Sequence, residues 1–440
     1  MSKEPTSNHF TAKPQLSALS SAGKTSTQPK STAGYRWFTA NVGSWFGAFG
    51  MQGVLFAWIL VGELEAESRW VGTAQTASML PSLFLLMIGG AIADRFDPRR
   101  LLIAIHLLAP LPVLVLAYAA SQEALSIPIV IAFALSMGTL TAFANPAREA
   151  LLARVAGDDL MSAISGMTAV QFGCQAVGSV VAGLARIIGS PVALVIHALV
   201  LASGAIFAGF TPSQDQSDVL ESSRSGPKNS ATPLTPSPDW RETLAGMQEG
   251  LAIVGRTWEL RGSLIAVFAV GIFFIGPFSV VLPLIIRDEY GGGVDQLALA
   301  MTLFPLGTIS GSLVLRKFGL RHKGRSMLIA LACAAVLQAS LGSGLPFWGF
   351  ALATFGWGLG GAIFINGSRT IFQQHAPSAY RGRVLAAYQL GFTGGGPIGA
   401  FASGFIISEV GLGETFFVSA SMMLLLVLAM SLFSDLPKID

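Results

Sequence analysis

Asp94, Arg95, Asp97, Arg99 and Arg100 crowd into the short stretch that follows Gly90. Acids and bases packed this closely suit ion pairs and contacts with helix termini, because a carboxylate is stabilised at the positive end of a helix. They do not suit bond-making, which needs a nucleophile beside a base or a cluster of metal ligands, and neither spacing occurs in the chain. Cys174 and Cys333 lie in different apolar runs, so no disulfide framework and no metal site follow from them. An enzyme, a cofactor and a bound metal are therefore not expected. Gly356 to Gly361 satisfies a dinucleotide-loop spacing, but no strand precedes it and it sits inside an apolar run.

The elements that position these residues follow from composition. Of 440 residues 52% are hydrophobic and only 12% charged, and the mean hydropathy is +0.62, against about 25% charge in an ordinary soluble domain. The solvent is lipid. Apolar stretches long enough to cross about 30 Å of hydrocarbon begin near 37, 70, 100, 127, 160 and 190, and again near 261, 294, 326, 346, 382 and 414. Backbone groups in hydrocarbon need internal partners, so twelve such runs predict twelve transmembrane helices in an all-α integral membrane protein. With both termini on the cytoplasmic side, only Arg69, Arg186 and Arg287 of the 27 Lys and Arg fall outside. The net charge of +3 thus records topology and implies no nucleic-acid partner.

Residues 1–35 read as a disordered cytoplasmic tail and 36–210 as a six-helix bundle; 211–238 is a linker and 239–259 an amphipathic interfacial helix. A second six-helix bundle spans 260–434, and 435–440 is a cytoplasmic tail. The second bundle retraces the first 221 positions later: Gly50, Gly72, Gly90, Asn145, Arg148, Gly173, Gly178 and Gly183 recur as Gly271, Gly293, Gly311, Asn366, Arg369, Gly394, Gly399 and Gly404. Two similar helical halves are the signature of a secondary transporter whose site lies near the bilayer midplane between them. Near that depth fall Gln52, Gln171, Gln175, Phe273, Phe274, Trp357, Tyr388, Gln389 and Phe392. Such amides and aromatics suit a neutral or amphipathic cargo, since an anion would need a basic counter-charge; helix packing is the competing role for each. Arg148 and Arg369, each three residues after an Asn, read either as helix-end snorkels or as gating residues. No Asp or Glu reaches the midplane, so Glu63, Glu65, Glu67 and Asp288-Glu289 are the nearest proton carriers, with solvated loop charge as the alternative. His106 and His197 are read as packing residues.

Gly90, Asp94, Arg95, Arg99 and Arg100 resemble the loop signature of the major facilitator superfamily, with Asp97-Pro98 in place of the usual glycine and one extra residue. Gly43 to Gln52, Asn145 to Leu152 and Glu249 to Arg261 further resemble the bacterial branch that includes the enterobactin exporter and macrolide efflux proteins. The resemblance implies the major facilitator fold in a bacterial inner membrane. It also implies a cytoplasmic latch in which Asp94 meets the start of the eleventh helix, with Arg383 as a charge partner, and Arg99 or Arg100 meets Glu149. The expected activity is export of a small amphipathic molecule, siderophore or drug-like, by proton-coupled antiport, with the lipid bilayer as the other partner and a monomer as the expected state. Uptake of a metabolite is the alternative within transport, and a non-transporting sensor the alternative outside it.

Overall fold

A computed structural model describes residues 32–156, 160–211, 240–320, 322–377 and 380–439. Twelve long helices carry the fold. In the first half they are α1 (Thr32–Trp58, continued by a π-helical turn, Ile59–Glu63), α2 (Ser68–Arg95), α3 (Pro98–Ser121), α4 (Ile127–Val155), α5 (Leu160–Gly183) and α6 (Ser190–Gly209). The second half holds α7 (Trp258–Asp288, with a π-helical turn at Gly271–Ile275), α8 (Val294–Phe318), α9 (Lys323–Leu341), α10 (Phe347–His375), α11 (Arg381–Val410) and α12 (Leu412–Phe433). Eleven of these are long and apolar enough to cross a membrane, and α2, at 28 residues, has the length. No strand occurs among the described residues. Between the halves a helix at Trp240–Arg256 leads into α7; residues 1–31 and 212–239, which hold most of the expected tail and linker, lie outside the described residues.

The sequence repeat appears as repeated packing. α1 lies on α5 and α2 on α4; correspondingly α7 lies on α11 and α8 on α10. Matched glycines make the matched approaches: Gly50 faces the Gln175 backbone of α5, and Gly271 faces Gly395 and Gly396 of α11. Lipid tails give helices no hydrophobic reason to associate, so close backbone approach through small residues supplies the dispersion contact instead. Gly90 departs from the repeat: it has open space where a side chain would stand, and its neighbour Gly89 makes the contact with α4 that Gly311 makes with α10.

The halves meet along α2 and α11 and along α5 and α8, two seams exchanged by the repeat. A Cβ on Gly72 would stand 2.7 Å from the Ala400 carbonyl oxygen, and one on Gly183 would stand 2.9 Å from the Ala298 Cβ. Polar staples between the halves lie in the half of the bundle opposite the termini. Ser68 donates to the Gly404 carbonyl at 2.9 Å, Thr76 to the Pro397 carbonyl at 3.1 Å, and Arg287 Nη1 to the Val61 carbonyl at 2.9 Å. Arg186 bonds both carboxylate oxygens of Asp295 at 2.8 Å.

Proline sets one further requirement. Pro277 in α7 brings no N–H to the carbonyl of Phe273 four residues earlier, and Gln338 Nε2 of α9 donates to that carbonyl at 2.8 Å.

Candidate functional site

The first half encloses a polar cluster between α1, α3, α4 and α6. Asn41 Nδ2 lies 2.9 Å from His106 Nε2 and donates to the Gly204 carbonyl at 2.9 Å, while His106 Nδ1 lies 2.7 Å from the Leu201 carbonyl. A carbonyl oxygen only accepts, so the imidazole proton is on Nδ1 and Nε2 accepts from Asn41. The ring is neutral in this arrangement. Gly204 is a glycine because a Cβ there would run into the imidazole. Trp45 meets the same ring edge-on at 5.4 Å between centroids.

Trp45 also meets Arg148. Its guanidinium carbon sits 5.2 Å from the Trp45 centroid and 5.0 Å from that of Phe46, its Nη1 donates to Asn145 Oδ1 at 3.0 Å, and the residue is 3% exposed. This corrects the snorkelling alternative. Although it stands near the end of α4, Arg148 is held inside the bundle by the two rings of α1 and by Asn145. Its repeat partner Arg369 is exposed, and Asn366 turns to Ser312 and the Ala362 carbonyl instead.

The second half encloses aromatics. Trp357, 2% exposed, is met nearly edge-on by Phe274, Phe278, Phe304 and Phe416 at centroid distances of 5.5, 5.6, 5.9 and 6.3 Å. Edge-to-face rings at these distances are a packed core, so Trp357 and Phe274 take in this conformation the packing role that competed with cargo contact at these positions. Gln52, Gln171, Gln175 and Phe392 are half-buried and Gln389 exposed, with Phe392 stacked on Tyr388 at 6.5 Å. Gly53 and Gly173 beside them face open space. These five side chains stay accessible.

The charged loop is wired differently from expectation. The backbones of Asp94 and Arg95 form the last turn of α2, while their side chains lie outside the described residues. Asp97 accepts from the Arg99 N–H at 3.4 Å as the N-cap of α3 and pairs with Arg154 of α4 at 2.8 Å. The Asp97-Pro98 departure therefore builds the helix start, with Pro98 at the first helical position. Arg99 turns to the Gly209 carbonyl at the end of α6, which satisfies an orphan acceptor of that helix. Glu149 and Arg100 are both exposed, so the expected basic-pair contact with Glu149 is not formed here. Arg383 pairs with Glu249 of the 240–256 helix, whose Gly250 rests on the Arg383 backbone; the expected contact with Asp94 falls outside the described side chains. At the opposite end Glu67 pairs with Arg69 and Asp288 with Arg287. The Glu289 carboxyl is pushed up by partial burial and by the neighbouring Glu414 and Asp288.

Sequence reasoning missed Asn41 and His106 as partners, Gln338, and the Asp97–Arg154 pair. Pro277 signalled the need for a donor such as Gln338, but nothing in the linear order signalled which one.

The family described as "Transmembrane secretion effector" matches residues 25–440. Among curated proteins, macrolide efflux protein A of Streptococcus pyogenes is 24% identical over 197 residues, 44% of this chain and 48% of that protein. The staphyloferrin A transporter of Staphylococcus aureus is 30% identical over 156 residues, 33% of this chain and 36% of that one. The matched stretches span about half the length of these relatives or less. Among solved structures, the nucleoside transporter NupG superposes with a TM-score of 0.69 at 13% identity, covering 90% of this chain and 98% of that one. An auto-inhibited POT family peptide transporter gives 0.65 at 15% identity, covering 90% and 96%. At these identities the superpositions speak for the fold.

Proposed function

The chain belongs to the transmembrane secretion effector family of the major facilitator superfamily, and from that membership we propose that it is a secondary active transporter exporting a small amphipathic molecule, siderophore-like or drug-like, by proton-coupled antiport. The observation that carries alternating access is the pair of repeat-related seams, with polar staples at the end opposite the termini. Glycine-lined seams let two rigid bundles rock about their contact, and polar staples at one end hold that end shut while the other admits cargo. The names of the macrolide and staphyloferrin relatives support export and the cargo class. With the termini cytoplasmic, the stapled end is external, and the conformation is read as inward-facing.

In the cytoplasmic latch of this reading, Gly90, Asp94, Arg95, Arg99, Arg100, Glu149 and Arg383 engage when the molecule opens outward. Arg383 then serves as the charge partner of Asp94. Gln52, Gln171, Gln175, Gln389 and Phe392 line the path of the cargo, and one polypeptide suffices for the cycle.

The test uses everted membrane vesicles with an acidic interior, a pH-sensitive dye, and a panel of siderophores, macrolides and aromatic compounds. Dequenching that requires both compound and protein, and that is lost in Asp94→Asn, is the expected result. Silence across the panel with folded protein sinks proton-coupled export and favours the uptake alternative, which counterflow from the outside would reveal.

A further inference from the structure

Among the described residues, Arg148 is a buried charge without a buried counter-charge. Arg148 is 3% exposed, and its single hydrogen bond goes to the neutral amide oxygen of Asn145 at 3.0 Å. Nε and Nη2 are buried without an acceptor. The charged or titratable groups nearest it do not answer its charge: Glu149, next in the chain, is exposed, and His106, behind Trp45, is held neutral by Asn41 and the Leu201 carbonyl. A buried cation that no carboxylate meets is costly wherever it occurs and more so at membrane depth, where ionisable groups mark the path of a charged ligand.

The free edge has a definite shape. Nε and Nη2 are the side of the guanidinium that presents two parallel N–H groups, the fork that fits the two oxygens of a carboxylate. Asn145 occupies the opposite side, at Nη1, and the rings of Trp45 and Phe46 fix the plane. Phe46 is half-buried and meets Phe49, which is 43% exposed, edge-on at 6.3 Å. Gly53, one turn further along α1, faces open space. Phe49 and Phe46 thus form an apolar face that starts exposed on α1 and reaches the ring over which the guanidinium sits.

We propose that Arg148 is the binding charge for an organic anion, a carboxylate or similar pair of acidic oxygens carried on an aromatic or apolar body. The body lies on Phe49 and Phe46, and the acid takes the Nε and Nη2 edge. This deepens the transport reading, on which it rests, by giving the cargo a sign. It also reverses the sequence-level preference for a neutral cargo, because the counter-charge whose apparent absence motivated that preference is present, folded back from the end of α4. Arg369 offers no second such site, since its side chain is exposed.

The experiment uses the full chain in lipid nanodiscs and follows quenching of tryptophan fluorescence by pyrenebutyrate and by its methyl ester, each measured above empty nanodiscs. The acid is expected to bind about tenfold more tightly than the ester, the range of one charge-assisted interaction. That ratio falls to about one, by loss of the same interaction, in Arg148→Gln. Asn145→Asp, which sets a carboxylate beside the guanidinium, is expected to abolish the preference equally while giving the buried cation a partner, so it keeps the test open where Arg148→Gln does not fold. Equal binding of acid and ester by the unaltered protein, no binding of either, or a preference that survives Asn145→Asp overturns the proposal. If the preference holds while the vesicle assay stays silent, the export reading alone fails; if transport proceeds without any preference, this inference alone fails.

Discussion

Positions 148 and 369 carry the same residue on the same turn of matched helices, yet one guanidinium is folded into the first bundle and the other stands exposed on the second. The surroundings account for the difference. Trp45 and Phe46 give Arg148 a double aromatic face, and their counterparts 221 positions later are Ala266 and Val267, which offer none. His106 and Asn41 correspond likewise to Met327 and Gly262. In the other direction Trp357, the hub of the second bundle, corresponds to Ser136, which is exposed and bonds its own helix. A duplicated scaffold of glycine approaches thus holds two unlike interiors, one polar and charged, one aromatic. The lesson is that the backbone contacts were kept by the need for close approach, while side chains off that contact surface were free to diverge.

Several substitutions would break this contrast. The largest effect is expected from Trp357→Ala, which empties the site ringed by four phenylalanines and should cost about 3–5 kcal/mol, whereas Ser136→Ala should change stability by less than about 0.5 kcal/mol. Thermal unfolding in detergent compares them, and similar losses for the two would mean that the second bundle does not depend on its aromatic hub. Next comes the charge. Arg148→Met replaces an unpaired buried cation by an apolar chain of like length and should raise stability by about 1–4 kcal/mol, while Arg369→Met stays within about 0.5 kcal/mol of the parent. A destabilised Arg148→Met protein would show that the aromatic stacking outweighs the desolvation. The smallest effect sharpens the comparison of the two inner loops. Asp97→Ala removes a helix cap and its pair with Arg154, 12% and 27% exposed at their side chains, and should cost about 1–2 kcal/mol. Asp97→Asn keeps the cap acceptor and should lose less; equal losses would assign the whole effect to the ion pair. The corresponding junction before α9 relies instead on Gly319 at φ 72° and has no acid to remove.

Much of the scaffold was legible in the linear order. Long apolar runs specify helices because hydrocarbon leaves the backbone no other partner, and glycines recurring at a fixed interval specified that the two halves repeat; which helices they join, Gly50 to α5 and Gly271 to α11, came from the packing. The amphipathic segment before α7 was legible as a helix, but not its seat on α11: Val254 is buried while Leu251 and Trp258 remain exposed, because Gly246 and Gly250 supply the contact face.

The site was legible only as a list. Hydropathy counts a residue by its position along a run, and by that measure Arg148 belonged to a helix end and Trp357 to the midplane. Neighbours decide otherwise: Trp45 and Phe46 of α1 hold the Arg148 charge inside the first bundle, and four phenylalanines enclose Trp357 in the second. Composition, helix number and the pairing of halves were determined by the sequence itself, through backbone satisfaction and the close approach of small residues. Which charge is buried, which carboxylate caps α3, and which acid holds Arg383 were decided by tertiary structure alone, because a side chain's partner depends on helix rotation and on groups hundreds of residues away.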